Sequence, residues 1–339
     1  MSAPAASVQL GARPLDVDDV DAIVRGELRI EGIHPDGVRR IEAARTALLN
    51  RIETEGVVYG VTTGFGDSCE TRVTGELVEA LPKNLFRFHG CGVGEAFDHD
   101  ETRAILVARL ASLATGYSAV RPVLLTHLAQ LLESDLLPLI PSLGSVGASG
   151  DLTPLSYIAA ALSGEARVRL GAEELDALEA LGRIGIPRLD LEPKESLAIM
   201  NGTSAMTGIA ALALPRARRL ARWVATLSAF ASEVLQGDPR HFDARLFLAK
   251  PHPGQALVAR WIREDLSSEH LGKPEPARVQ DRYSIRCAPH VIGVLVDLLP
   301  TLERLVETEL NGANDNPLVD PESGDVLHGG NFYGGHVCA

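Results

Sequence analysis

The sequence predicts a mainly α protein, and three observations carry that prediction. Ala and Leu recur throughout, and both lose little free energy in a helix. Aromatic residues make up only 4% of the chain, so the large side chains that favour strands are scarce. Apolar positions also repeat at helical spacing in several separate stretches. With 339 residues, 45% of them hydrophobic, the chain is long enough to bury a substantial core in one large domain or two ordinary ones.

The elements follow in order. Residues 1–15 are rich in Pro and Ala and are expected to be mobile. From Asp36, a candidate N-cap, Val38, Ile41, Ala44, Leu48 and Ile52 mark a helix to about residue 55 that stops at Gly56. Val57 to Gly66 reads as a short extended run dissolving into a glycine loop. Helices are expected over 76–88, over 102–115 and over 123–136, the last ended by Pro138 and Pro141. The second of these has almost no polar face after Arg109, as a buried helix would. A small-residue loop follows, then an apolar helix over 155–162. Residues 164–193 suggest a hairpin plus a short helix. A long Ala/Leu/Arg helix is predicted over 204–235 with Pro215 inside it, and another over 288–310 with Pro300 inside it. The intervening 236–280, rich in Pro, His and charge, is expected to be irregular. The chain ends in a glycine-rich loop with no closing element, which suggests a fragment or an early stop.

Charge and cysteine usage exclude several functions. A net charge of −13 argues against nucleic-acid binding, which needs a basic surface to displace counterions from phosphates. Cys69, Cys91, Cys287 and Cys338 contain no CxxC pair and suggest a reduced protein rather than a disulfide framework or zinc site. The ten histidines show no HxxxH-type spacing for a zinc hydrolase. The N-terminus lacks the pattern of a secretory signal. The longest apolar stretches, near 105–113 and 291–299, are too short to span a bilayer. These features predict a cytoplasmic protein that engages no membrane.

The most informative segment is Gly144-Ser-Val-Gly-Ala-Ser-Gly-Asp151, followed by Leu-Thr-Pro-Leu-Ser. A bare Ala-Ser-Gly is normally a flexible turn. Here glycines stand at 144, 147 and 150, an acid follows at 151, and a helix begins directly afterwards. A tight glycine bend can press the Gly150 nitrogen against the Ala148 carbonyl carbon, an approach that a residue without Cβ permits. Ring closure and a second dehydration at Ser149 would leave an exocyclic methylidene on an imidazolone, an electrophile that no ordinary side chain provides.

This segment resembles the signature of the histidine/phenylalanine/tyrosine ammonia-lyase family, whose cofactor is 4-methylidene-imidazol-5-one (MIO). The similarity recurs in separate blocks from about residue 57 onward. In Tyr59-Gly-Val-Thr-Thr-Gly-Phe-Gly66, the resemblance makes Tyr59 the base that removes the β-proton, a role for which an ordinary phenol near pKa ~10 is poorly suited without help. In Asn84-Leu-Phe-Arg-Phe-His-Gly-Cys-Gly92, it makes Phe88 and His89 the pair facing the substrate ring. Histidine lyases usually pair a small residue with the His, and phenylalanine lyases usually lack the His, so the substrate stays open among tyrosine, histidine and phenylalanine. In Asn201-Gly-Thr-Ser204, Asn201 would bond the MIO ring or the substrate amine. In Gln280-Asp-Arg-Tyr-Ser-Ile-Arg286, Arg286 becomes the clamp on the substrate carboxylate, with Tyr283 and Gln280 completing a polar wall. In Asn314-Asp-Asn-Pro317 and Gly329-Gly-Asn-Phe332, Asn314 and Asn316 would support the loop and Phe332 would lie beside it.

The resemblance implies a long helical bundle with a smaller mixed N-terminal domain (an ammonia-lyase/fumarase-like fold), divided into residues 1–200 carrying the MIO loop and 201–339 forming an incomplete bundle. It implies a homotetramer with pockets shared between subunits, and a chain lacking the family's C-terminal third. The expected reaction is non-oxidative loss of ammonia from an aromatic L-amino acid to give a trans-arylacrylate. The alternatives are a 2,3-aminomutase using the same residues and a non-catalytic helical scaffold.

Overall fold

The computed structural model describes residues 6–54, 56–271, 278–330 and 332–338. The chain is mainly α, as the composition predicts, and forms two compact units. Met1–Leu212 together with Leu305–Ala339 make the first, and Ala213–Arg304 the second. The expected division at residue 200 falls ahead of this change of unit and does not anticipate the return of the C-terminal segment to the first unit.

The first unit opens with β1 (Ala6–Leu10), which pairs in parallel with β2 (Leu28–Ile33) across α1 (Val17–Val24). Expected mobility is therefore corrected for residues 6–10: Val8 and Leu10 are buried there. Residues 1–5 lie outside the described part. Helix α2 (Pro35–Thr54) starts just ahead of Asp36, which sits in its first turn, where an acid complements the helix dipole, rather than at the cap. The run after Gly56 forms no strand. Thr62 closes a turn by donating its N–H to Val58 O and accepting from Val58 N–H through its hydroxyl.

Helix α3 (Glu76–His89) leads through β3 (Val93–Ala96) to α4 (His99–Ala114). Asp98 and Glu101 form a capping box at the start of α4. Thr102 and every residue over 104–114 are buried, as its missing polar face predicts. Helix α5 (Pro122–Glu133) ends earlier than expected, because residues 136–138 become β4 (Leu136–Pro138) instead of a last helical turn. β5 (Pro141–Leu143) pairs antiparallel with β3, and α6 (Leu152–Leu162) follows the bend. β6 (Arg167–Leu170) and β7 (Glu173–Asp176) form the expected hairpin, which β4 extends to three strands. α7 (Ala177–Arg183) and α8 (Glu195–Met200) complete the middle of this unit, where α3, α6 and α8 pack on one another.

Helix α9 (Ser204–Val234) begins in the first unit and continues into the second. There, the expected irregularity over 236–280 is corrected. α10 (Ala244–Ala249), α11 (Pro253–Asp265) and α12 (Ser268–Leu271) occupy much of it, with 272–277 outside the described residues. Pro253 occupies the first helical turn, where its missing N–H costs nothing. Phe242, Val258, Ile262, Leu266 and Ile285 form the core of this unit with Ala225 and Ala229. α13 (Tyr283–Arg286) and α14 (Ala288–Leu310) close it. The chain then re-enters the first unit, where β8 (Leu318–Val319) pairs with β9 (Val326–Leu327), and α15 (Gly335–Cys338) follows.

Two helical runs, Glu195–Val234 and Tyr283–Leu310, are long and apolar enough to cross a membrane by length and composition, which corrects the expectation drawn from shorter apolar stretches. The most apolar window of the first is 78% buried within the protein, as in a core helix.

Candidate active site

The Ala148-Ser149-Gly150 bend leaves β5 and enters α6, so both its ends are anchored in regular structure. Ser149 lies in the left-handed region at φ +59 and Gly150 at φ +82, a conformation that costs a residue with a Cβ of order 1–3 kcal/mol. A Cβ on Gly150 would stand 2.5 Å from both the N and the O of Gly202. Only glycine fits there.

Backbone and side-chain bonds hold the bend from three directions. Asn201 donates from Nδ2 to Ser149 O at 2.6 Å. Gly150 N–H donates to Phe332 O at 2.8 Å, Asp151 N–H to Gly202 O at 2.6 Å, and Gly334 N–H to Gly147 O at 3.1 Å. Asp151 is fully buried, accepting from Ser145 Oγ at 2.5 Å and from Met206 N–H at 2.9 Å. Burial pushes its carboxyl up, against these hydrogen bonds and the charge of Arg109. Asn201 and Phe332 therefore both bond the bend directly. Asn316 acts one step further out: its Oδ1 accepts from Gly329 and Gly330 N–H at 3.1 Å each, shaping the tail that carries Phe332. Asn331 of that block lies outside the described residues.

Beneath the bend lies a charged cluster that motif reading did not single out. Arg109 is fully buried and donates to Ser112 Oγ at 2.7 Å, Asn314 O at 2.8 Å and Asn201 O at 3.4 Å. Burial lowers its pKa to about 10, with Asp315 and Asp151 opposing, so it remains a cation at neutral pH. Lys194 is ion-paired with Asp315, both wholly buried. Burial pushes Lys194 down and Asp315 up, each opposed by its partner. The signal available in sequence was one arginine alone in an apolar helix.

The Tyr59 side chain stays within its own loop, while its backbone N–H donates to His328 Nε2 at 3.5 Å. Its hydroxyl accepts from Gly66 N–H at 2.9 Å, its ring meets Phe65 edge-on at 6.3 Å, and no hydrogen bond joins it to the bend among the described residues. Phe88 is 79% exposed at the end of α3, with the half-buried His89 ring perpendicular to it at 5.2 Å. Burial lowers the His89 pKa and favours neutral imidazole. The strand that follows them, β3, is tied to the segment leading into the bend: Val93 pairs with Leu143, and a Cβ on Gly144 would come within 3.3 Å of Gly92 Cα.

The remaining residues lie in the second unit. Arg286 donates from Nε to Asp281 O at 3.0 Å, and its guanidinium stacks 4.3 Å from the centre of the Tyr283 ring. Asp281 is fixed by Asp238 N–H, which donates to Oδ2 at 2.7 Å, and by its own N–H on His241 Nε2 at 3.0 Å. This fixes the plane of Arg286, and among the described residues its terminal nitrogens make no hydrogen bond. Gln280 and Tyr283 are exposed beside it.

A profile of the aromatic amino acid lyase family matches residues 15–339. The chain belongs to that family. It is 41% identical over 307 residues to the histidine ammonia-lyase of Geobacillus thermodenitrificans, covering 89% of this chain and 60% of that protein. It is 38% identical over 355 residues to the tyrosine ammonia-lyase of Cereibacter sphaeroides, covering 100% of this chain and 68% of that one. Among solved structures, tyrosine aminomutase from Streptomyces globisporus superposes with a TM-score of 0.88 at 33% identity, over 98% of this chain and 66% of the other. The chain thus spans about 60–68% of the length of these relatives.

Proposed function

We propose that this aromatic amino acid lyase eliminates ammonia from an aromatic L-amino acid to give a trans-arylacrylate, through MIO formed from Ala148, Ser149 and Gly150. The observation that carries the reading is the confinement of Gly150 between the Gly202 backbone and the Phe332 carbonyl, with Asn201 on the Ser149 carbonyl. That arrangement fits the group: a left-handed Ser-Gly pair is held by backbone partners on both sides, with no room for a methyl at position 150.

Held by Asn201, Gly202 and the Phe332 carbonyl, the group would supply an electrophilic carbon that activates the substrate amine for departure. The chain's own residues do the rest. The terminal nitrogens of Arg286 bind the carboxylate in parallel, with the plane of the guanidinium set by Asp281 and Tyr283. Phe88 provides an apolar wall, and neutral His89 offers one hydrogen bond to a phenol or an imidazole. Asn201 Nδ2 fixes the carbonyl at position 149. Tyr59 Oη takes the β-proton. That proton is barely acidic, so positioning must carry much of the rate. The protein acts as a cytoplasmic homotetramer whose pockets draw residues from more than one subunit.

Incubating the purified protein with tyrosine, histidine and phenylalanine tests this reading. Growth of arylacrylate absorbance with one ammonia released per product is expected. A second reading, 2,3-aminomutase activity, is favoured by the superposition on tyrosine aminomutase. Recovery of β-amino acid instead of free arylacrylate would select it. Neither product, from protein that has lost two waters at residues 148–150, would overturn both.

A further inference from the structure

Among the described residues, Arg109 is the one buried cation that hydrogen-bonds both segments beside the bend. It projects from α4, among apolar neighbours, with its Nε buried and unpartnered. Its two terminal nitrogens span the Asn201 and Asn314 carbonyls. A Cβ on Gly202 would collide with Arg109 Nη1 and stand 2.7 Å from Asn314 O. Gly202 rests in turn against Gly150, at 2.5 Å from where a Cβ would be. Guanidinium, Gly202 and Gly150 are thus stacked in direct succession, and a shift in the first is passed to the third. The cation is also matched: with Lys194 it faces two buried acids, Asp315 and Asp151. Removing one charge from such a set leaves another uncompensated in a dry interior.

We propose that Arg109 is a positioning residue for ring closure, holding turn 201–202 against segment 314–315 so that Gly150 is pressed toward Ala148. The proposal rests on the reading of the bend as an electrophile precursor. In the closure, Gly150 N bonds to the Ala148 carbonyl carbon, and that oxygen leaves as water with the amide hydrogens of Gly150 and Ser149. The Ser149 hydroxyl then leaves as a second water with the Ser149 α-hydrogen. No oxidant or co-reactant is needed. Arg109 touches none of these atoms and acts only through Gly202 and Asn201.

The test follows dehydration rather than turnover. Wild type, Arg109→Gln, Arg109→Lys and Arg103→Gln are made by cell-free synthesis. Intact mass over time, peptide mapping of 148–150, circular dichroism and thermal melting are recorded for each. Wild type is expected to lose two waters. Arg109→Gln should slow that loss roughly tenfold to a hundredfold, as expected for one or two charge-assisted hydrogen bonds. Arg109→Lys keeps the charge without the fork and should fall between the two, so it decides the matter even if Arg109→Gln does not fold. Arg103→Gln removes bonds to Leu132 O and Asp135 on the same helix. It should lower Tm while leaving dehydration at the wild-type rate. Wild-type dehydration in Arg109→Lys, or equal slowing in Arg103→Gln, overturns the role of Arg109. Wild type that never loses water overturns the electrophile reading itself.

Discussion

The bend in the first unit and the Arg286 group in the second are built on opposite plans. Around Gly150, partners come from residues 201–202 and 332, with 109 and 314 behind them, and the polar groups are largely buried. Around Arg286, the contacts are local: Asp281 O lies five residues back, and Tyr283, which is 75% exposed, lies three back. The first region is over-determined, as a strained backbone must be if it is to persist. The second is a short helix presenting a planar cation, which needs little more than a fixed plane to bind a carboxylate. If the bend is the electrophile precursor and Arg286 the carboxylate clamp, as proposed, then making the electrophile demands long-range packing whereas binding the carboxylate demands local geometry. Changes in the two regions should therefore fail in different ways.

The largest effect is expected from Ser149→Ala. It removes the hydroxyl that must leave to form the methylidene, so the MIO contribution to near-ultraviolet absorbance should vanish and kcat fall by about 10³-fold or more. Normal turnover would remove the bend from the chemistry altogether. Gly202→Ala comes next, and it breaks the comparison from the side of packing. The added methyl meets Arg109 and the Asn314 carbonyl, an overpacking that costs about 1–3 kcal/mol. Reduced Tm and unprocessed mass should appear together. A variant that dehydrates fully at wild-type stability would show that the bend is less confined than its contacts indicate.

Arg286→Lys should separate the regions. Replacing the fork by a point charge should raise KM roughly tenfold or more. The loss of two waters should be untouched, because the change lies in the other unit. Unprocessed mass in this variant would contradict the division of labour.

How much of this was legible in the sequence follows the same division. Helix α14 was read to its ends, and α4 was recognised as buried, because 3.6-residue periodicity is a local property. The stretch 236–280 was misread because its content of Pro, His and charge was taken to mean irregular backbone, whereas Pro239 and Pro253 each begin a helical turn. Ala6–Leu10 was invisible as a strand because its partner, Leu28–Ile33, lies beyond a helix. At the site, Asn201 and Phe332 were legible through motif resemblance. Arg109 was noticed only as the last polar residue of an apolar helix. Its partners at 201 and 314 belong to tertiary structure, and no spacing rule links them.

The smallest effect concerns His89, which belongs to neither extreme, being half-buried at a helix end beside the exposed Phe88. Burial lowers its pKa from the ordinary 6.5, so the folded protein binds this proton more weakly than the unfolded chain does. The stability contribution is accordingly full above 6.5 and is lost as pH falls through the lowered value. Followed by NMR, the imidazole should titrate below 6.5, and the stability gap between wild type and His89→Gln should narrow on acidification. In the same range KM for a phenolic substrate should rise modestly, since the protonated ring can no longer accept a hydrogen bond. A midpoint well above 7 would mean that a nearby negative charge outweighs burial, and His89 would then meet the substrate largely as a cation.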